Sequence, residues 1–124
     1  MENYNFELFT GIKGKFTPTI SISKPGILSF SSGAQHRFKL SEFKAAQLLF
    51  DKEKKTIAVR LFEQEGEGRF NLRARPDNKG SFIACKSFIS AYEIDPFYGK
   101  RFTPIELEHP DLGHLLLLDL SKPN

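Results

Sequence analysis

The residues with the clearest chemical potential are arginines that recur along one segment of the chain. Arg69, Arg73 and Arg75 fall at alternate positions together with Asn71, and side chains at this spacing share one face of a β-strand. Neighbours on that face lie about 7 Å apart, a spacing comparable to that of phosphates along a nucleic-acid strand. The guanidinium group suits phosphate because its planar fork donates two hydrogen bonds at once. The pattern therefore predicts a phosphate-binding strand.

Arg60 and Phe62 extend this surface onto the preceding strand. In the segment 56–62, aliphatic residues alternate with this pair, so the arginine and the phenylalanine point away from the core. A sheet face that combines arginine with phenylalanine is similar in chemistry to the platforms that bind single strands by stacking and charge. We therefore predict a nucleic-acid-binding or regulatory domain whose binding residues are Arg60, Phe62, Arg69, Arg73 and Arg75.

A simpler interpretation of the same arginines stays open. The loop before them contains Glu63, Glu65 and Glu67, which would pair with the arginines if the face were only a solvated surface. Leu49 falls on this face by the same alternation, which indicates that the first hairpin or a partner covers part of it. The exposure and pairing of the arginines decide between the two interpretations.

The other residue types that carry chemistry lack partners at a useful spacing. His109 and His114 are five residues apart around Pro110, which is not the i, i+4 spacing of a helical zinc site. Cys85 is the single cysteine, and a lone cysteine in a strand is typical of a small core residue. The sequence has no nucleophile elbow and no phosphate loop. We predict no catalytic residue, no metal, no cofactor and no enzymatic activity.

The strands that must position the arginines form a meander in the predicted fold. An apolar run at 45–50, the alternating segments 56–62 and 69–75, and a last strand at 81–85 are joined by short polar loops. Short loops favour antiparallel neighbours, so the simplest topology pairs the four strands of this 45–85 meander in chain order. Residues 15–30 predict a separate N-terminal hairpin around a Pro-Gly turn.

Helices and a C-terminal strand complete the predicted architecture. A short helix near 33–39 begins at capping serines, and 87–94 has a helical apolar pattern that Pro96 ends. The run Leu115–Leu120 lacks alternation, which is typical of a strand buried on both faces. It pairs either with a sheet edge of this chain or with a second copy. The second case is our alternative function, a protein-interaction module that forms a homodimer or complex through a sheet edge or through Leu115, Leu116, Leu117 and Leu118.

Length, composition and charge favour one α+β domain of mostly antiparallel sheet with one or two short helices. The 124 residues are enough to bury a core without disulfides, with residues 1–14 as an arm and 121–124 as a frayed end. Residues 8–104 hold 17 Lys and Arg against 9 Asp and Glu, which favours an anionic partner. Because the sequence shows neither a signal peptide nor an apolar run of about 20 residues, we expect a cytoplasmic protein that does not bind membranes.

Two segments of the chain resemble a known kind of domain. Asp51–Val59 and Phe82–Ile89 are similar to the centre of small prokaryotic domains of uncharacterised function, which consists of a strand, a charged loop and a second strand. The resemblance spans about residues 16–95 and implies a compact α+β fold but no activity. A third function therefore stays open beside the two above, namely a small-ligand domain with a pocket between sheet and helix.

Overall fold

Nine strands form one antiparallel sheet in the computed structural model, which describes residues 17–124 without the side chain of Asn78. The predicted arm at 1–14 lies outside this range. In chain order the strands are β1 (Ile20–Ser23), β2 (Ile27–Phe30), β3 (Ala45–Asp51), β4 (Thr56–Phe62), β5 (Phe70–Ala74), β6 (Ser81–Ala84), β7 (Arg101–Phe102), β8 (Ile105–His109) and β9 (Gly113–Asp119). Their order across the sheet is β7-β1-β2-β6-β5-β3-β4-β9-β8. The described helices are α1 (Ser32–Arg37), α2 (Lys86–Ala91) and three 3-10 turns at Leu40–Glu42, Pro76–Asn78 and Asp95–Phe97.

The predicted meander over 45–85 is correct only in part, because β4 and β5 are not neighbours. β3 lies between them: its first residue, Ala45, is opposite Phe62 of β4 on one side and Asn71 of β5 on the other. The loop 63–69 is long enough to cross one intervening strand, since adjacent strands are only about 4.8 Å apart. The β1–β2, β3–β4 and β5–β6 pairs form as predicted.

In a plain meander, β5 would pair with the free edge of β4. In the structure, β9 pairs with that edge instead. Leu116 is opposite Val59 and Leu118 is opposite Ile57, and all four side chains are fully buried. Burying one such aliphatic side chain stabilises the fold by about 1.5–3 kcal/mol, and β5 has fewer apolar residues to offer. Apolar pairing on the inner face is therefore the physical reason why the chain departs from a plain meander.

The sheet curls into a half-barrel whose two edge strands are joined by a short link. β7 and β8 lie at opposite ends of the strand order, yet only Thr103 and Pro104 separate them along the chain. Three Cα–Cα steps of about 3.8 Å limit the gap between the two strands to about 11 Å, so the edges approach each other at one end. Asn124, in the segment 121–124 that we expected to fray, donates its backbone N–H to the Arg101 carbonyl at 2.8 Å.

The core fills the inner side of the curled sheet, and α1 packs into it. Ala34 of α1 and the following Leu40 are almost fully buried, and Phe38 is partly buried against the same cluster. The helix begins as predicted, because Ser31 is its N-cap and the Ser31 hydroxyl accepts a hydrogen bond from the backbone N–H of Ala34 at 3.1 Å. A six-residue helix of this kind depends on packing rather than on its own propensity.

α2 is shorter than the predicted 87–94. Its N-cap is Cys85, and no side-chain hydrogen bond caps it. The helix stops before Glu93, whose φ of 54° is left-handed, and the 3-10 turn Asp95–Phe97 follows. Among the described residues, none of the helices has the length and apolar character that crossing a bilayer would require.

β9 is an interior strand, which bears on the interface predicted at its leucines. Both of its edges pair within the chain, with β4 and with β8. Leu115, Leu116 and Leu118 are buried, and Leu117 is half-buried on the outer side of the sheet. Of the two pairings that the sequence left open, the one with a sheet edge of the same chain is formed. Dimerisation stays a prediction, and the edge that would carry it is that of β8.

Candidate nucleic-acid interface

The outer face of the sheet, opposite the core, holds two clusters of arginine around a phenylalanine ring. In the first cluster, the guanidinium carbon of Arg69 is 3.6 Å from the centroid of the Phe62 ring. The guanidinium carbon of Arg60 is 4.9 Å from the same centroid. Both distances are typical of cation–π contacts. Phe62 therefore holds two of the arginines that the sequence predicts to bind phosphate.

The loop between β4 and β5 brings Arg69 to Phe62. Arg69 precedes β5, and its Nη1 donates a hydrogen bond to the carbonyl of Gln64 at 3.0 Å. Its backbone N–H donates to the carbonyl of Gly66 at 3.3 Å. Gly68 has a φ of +75°, a conformation that glycine adopts without steric cost. The loop thus places the guanidinium group of Arg69 over β4, on the outer side of the sheet.

The second cluster forms around Phe82 on β6. The guanidinium carbon of Arg75 is 4.9 Å from the centroid of the Phe82 ring, and its Nη2 donates to the hydroxyl of Ser29 at 3.0 Å. Arg73 is exposed and directly opposite Phe82 in the β5–β6 register. The second cluster therefore consists of one ring, one arginine held against it and one arginine beside it in solvent.

Strand register places both clusters on one face. Phe62, Ala45 and Asn71 occupy one row across β4, β3 and β5, so their side chains point to the same side. Arg73 is two residues after Asn71 on β5 and shares that side. Two strand spacings, about 10 Å, separate Phe62 from Asn71. We call the set on this side the arginine face, which comprises Arg60, Phe62, Arg69, Arg73, Arg75 and Phe82.

Within the described residues, no carboxylate neutralises the arginine face. The basic residues that form ion pairs among the described residues are Arg37, His114 and Lys122, and none of them belongs to the arginine face. The glutamates of the 63–69 loop are exposed, and none of them forms an ion pair with an arginine of the face. The outer positions of β7, β1, β2 and β6 add no acid either, since they are Arg101, Ser21, Ser23, Ile27, Ser29, Phe82 and Ala84. The positive charge of this face is therefore not compensated by an ion pair within residues 17–124.

Cys85 lies in surroundings that suit a core residue rather than a nucleophile. Its side chain is 1% exposed. Burial raises the pKa of the Cys85 thiol to about 11, although a hydrogen bond with the backbone of Leu28 acts in the opposite direction. A thiol with this pKa stays protonated at neutral pH, and only the thiolate is a strong nucleophile.

The two histidines near the C terminus are engaged locally. Nδ1 of His109 accepts hydrogen bonds from the backbone N–H groups of Asp111 and Leu112, each at 3.1 Å, and so holds the turn between β8 and β9. His114 contacts the carboxylates of Glu106 and Glu108 on β8. Among residues 17–124, no group of three or more His, Cys, Asp or Glu side chains is arranged to hold a metal ion.

Sequence reasoning missed three contributors to the outer face, Phe82, Ser29 and Arg101. Phe82 stands between Ser81 and Ile83, which are both buried, and a phenylalanine in such a run is usually assigned to the core. The apolar residues Leu28 and Phe30 on either side of Ser29 predict that the Ser29 side chain points to the outer face. They do not predict which strand lies beside Ser29. The β5–β6 and β2–β6 pairings bring Phe82 and Ser29 beside the arginines, and the β1–β7 pairing adds Arg101 at the far edge of the same side.

No protein-family model, curated protein or solved structure matches this chain. The class of protein that the fold defines is a single domain dominated by a curled antiparallel sheet with two short helices. The resemblance to small prokaryotic domains stays a prediction. The described surface is therefore the basis on which a function can be proposed.

Proposed function

We propose that the protein binds single-stranded nucleic acid through the arginine face. The observation that carries the proposal is the stacking of guanidinium groups on Phe62 and Phe82, with no described carboxylate paired to them. A guanidinium group held against a ring has already lost much of its conformational freedom. It can therefore bind phosphate with a smaller entropic cost than a free arginine.

The flat guanidinium planes favour a single strand over a duplex. Bases that are splayed out of a helix stack on aromatic rings and on arginine planes, and the arginine face presents both. The ring of Phe62, which the sequence predicts to stack a base, already carries Arg69 at 3.6 Å. A base would therefore stack on the guanidinium plane or on the free part of the ring. The exposed Arg73 supplies a phosphate contact beside Phe82.

Fluorescence anisotropy with labelled oligonucleotides in a salt series tests this function. Each phosphate contact contributes about 0.7 to the slope of log K against log salt for a single strand. The variant Arg73→Gln/Arg75→Gln should weaken binding and lower the magnitude of that slope by about 1.4. The matched control Lys54→Gln/Lys122→Gln also removes two charges, but away from the arginine face, and should keep most of the affinity. Absence of binding at low salt, or equal losses in both variants, would contradict the proposal.

A second candidate function rests on β8. Ile105 and Leu107 are 54% and 43% exposed, and within residues 17–124 this edge strand pairs only with β9. An extended segment of another chain can add to such an edge by backbone hydrogen bonds. The exposed carboxylates of Glu106 and Glu108 alternate with these two apolar residues. We propose, as this alternative, that β8 receives a strand in which apolar and basic residues alternate.

Charge opposes self-association through β8, so of the two partners that the sequence left open for a sheet edge, a second copy or another protein, we propose the other protein. An antiparallel pair of two β8 strands centred on Leu107 would place Glu106 of one copy opposite Glu108 of the other, and like charges at such positions are destabilising. Sedimentation analysis at neutral pH should therefore find a monomer for the wild type and a dimer for Glu106→Gln/Glu108→Gln. Adding Leu107→Lys to that variant should restore the monomer. A wild-type dimer that Leu107→Lys leaves intact would exclude β8 as the interface.

A further inference from the structure

A second surface, separate from the arginine face, has the form of a small-molecule site. It is a cleft of about 540 Å³ between the β3–β4 loop and the segment that follows α2. Phe50, Tyr92 and Phe97 line it from different elements, and Lys52 and Lys55 line it from the loop. Cavities of about 300–1,000 Å³ with mainly apolar walls and a few polar groups are typical of ligand sites.

The aromatic wall of the cleft is fixed before any ligand arrives. The ring centroids of Phe50 and Tyr92 are 5.1 Å apart, and those of Phe88 and Tyr92 are 5.2 Å apart. Phe88 is buried in the core, so it anchors the other two rings by packing. Tyr92 is still 37% exposed. The wall therefore offers ring surface to solvent without having to reorganise.

The loop that contributes the lysines is held as well. Oδ1 of Asp51 accepts hydrogen bonds from the backbone N–H groups of Glu53 and Lys54, each at 3.0 Å. The carbonyl of Lys55 accepts one from the backbone N–H of Leu120 at 2.9 Å. These bonds fix the backbone on both sides of the loop, so the side chains at 52 and 55 start from defined positions.

The charges of the cleft favour an anion. The ammonium nitrogen of Lys52 is 5.8 Å from the centroid of the Tyr92 ring. Within the described residues, neither Lys52 nor Lys55 forms an ion pair. Glu93 is the one carboxylate among the lining residues, and it is not paired with either lysine. The charged groups that line the cleft are thus two ammonium groups and one carboxylate, beside an aromatic wall.

We propose that this cleft binds a planar aromatic anion. Its ring stacks among Phe50, Tyr92 and Phe97, and its carboxylate or phosphate group lies between Lys52 and Lys55. Stacking uses the apolar and quadrupolar character of the rings, and the anion replaces water around two ammonium groups that form no ion pair among the described residues. The site goes beyond the proposed function, because none of these residues belongs to the arginine face.

Amide chemical shifts of the ¹⁵N-labelled full chain test the site. The probes are adenosine 5′-monophosphate and 1-naphthoate, with adenosine and 1-naphthalenemethanol as their uncharged counterparts. We expect each anion that binds to shift the amides of Lys52, Lys55, Tyr92 and Phe97, and to bind at least about threefold more tightly than its uncharged counterpart. Binding of the nucleotide alone or of the naphthoate alone supports the site and identifies its anion as phosphate or carboxylate.

Variants of the β3–β4 loop test whether its lysines supply the charge that binds the anion. Lys52→Gln/Lys55→Gln should weaken anion binding roughly threefold to tenfold. Lys54→Gln is the matched control, since Lys54 is next to Lys55 in the same loop but lines a different depression beside Leu49; it should change little. Glu93→Gln should tighten binding, because it removes the one acid. Weaker binding in Glu93→Gln, or equal losses in the Lys54 variant and the double variant, would overturn the proposal.

Two further outcomes separate this site from the arginine face. Arg73→Gln/Arg75→Gln should leave the shifts at the cleft unchanged, whether or not the chain binds oligonucleotides. If neither anion shifts the four cleft amides, including the case in which the nucleotide shifts only the amides of β5 and β6, the cleft is not a site for this class of ligand.

Discussion

The guanidinium group of Arg69 lies over the ring of Phe62, with its carbon 3.6 Å from the ring centroid. The ring also has Arg60 within 4.9 Å. If the arginine face binds nucleic acid as proposed, Phe62 acts on the ligand through the arginines that it holds. Its contribution to binding is therefore separable from its contribution to the core, because Phe62 is on the outer side of β4 while Ile57 and Val59 of the same strand are buried on the inner side.

Replacing Phe62 with leucine should weaken oligonucleotide binding without unfolding the protein. Leucine keeps an apolar side chain but has no ring for Arg60 and Arg69. An exposed cation–π contact is worth about 0.5–1 kcal/mol, so two such contacts correspond to a loss of roughly fivefold to thirtyfold in affinity. Anisotropy titration measures the affinity, and thermal unfolding measures stability.

The Phe62 variant has a matched control in Phe97, which lines the cleft rather than the arginine face. Phe97→Leu should leave oligonucleotide binding unchanged. If Phe62→Leu binds as tightly as the wild type, the stacked arrangement of Arg69 is a packing feature with no role in binding.

Gly80 should tolerate no side chain. Its φ is +112°, and a Cβ atom at this position would be 2.1 Å from the carbonyl oxygen of Phe30. Because that contact is with backbone, Gly80→Ala should lower the free energy of unfolding by about 2–4 kcal/mol. Gly68 also has a positive φ, +75°, but a Cβ atom there would have nothing within 4 Å, so Gly68→Ala should cost only about 1 kcal/mol. Urea denaturation of both variants checks this, and equal costs would show that φ alone matters.

Ser81 and Gln35 form a buried polar pair that should behave as a unit. The Ser81 hydroxyl donates to Oε1 of Gln35, and the two residues are 1% and 6% exposed. Ser81→Ala alone should cost about 1–3 kcal/mol, because it leaves a buried acceptor without this donor. The double variant with Gln35→Met should lose much less stability than the sum of the losses of the two single variants. Additive losses in a double-mutant cycle would show that the hydrogen bond contributes nothing.

The faces of individual strands were predictable from sequence because side-chain direction is a local property. The alternation in 56–62 correctly assigns Ile57 and Val59 to the core, and both are fully buried. The Ser31 cap of α1 was predictable for the same reason, since a cap involves only neighbours in the chain. These inferences needed no knowledge of which strands pair.

Pairing between strands that are not joined by a short loop was not predictable, because it depends on competition between distant segments. β9 is more than 50 residues after β4, and nothing in the loop 63–69 indicates that it crosses β3. The geometry of the candidate site was not predictable for the same reason. Arg69 reaches Phe62 because of the shape of that loop, and Arg75 reaches Ser29 only because β6 lies between β5 and β2. The residue types of the site were therefore evident before its geometry was.

Cys85 should make the stability of the protein depend on pH at the alkaline end. Burial raises the pKa of its thiol from 9.0 to about 11, so the folded state favours the protonated form. The stabilisation is fully present below pH 9, where the thiol is protonated in both states. It is lost as pH rises from about 9 to 11, because the unfolded chain ionises first. Urea denaturation at steps of pH should show the wild type losing stability over this range relative to Cys85→Ala.

The same shift predicts slow chemistry at the thiol. Two pKa units lower the thiolate fraction at pH 8 by about a hundredfold, and the side chain is only 1% exposed. Alkylation by iodoacetamide should therefore be at least about a hundred times slower in the folded protein than in urea. A stability difference from Cys85→Ala that stays constant from pH 8 to 11, together with rapid alkylation of the folded protein, would mean that the thiol is open to solvent, against the prediction that Cys85 is a core residue.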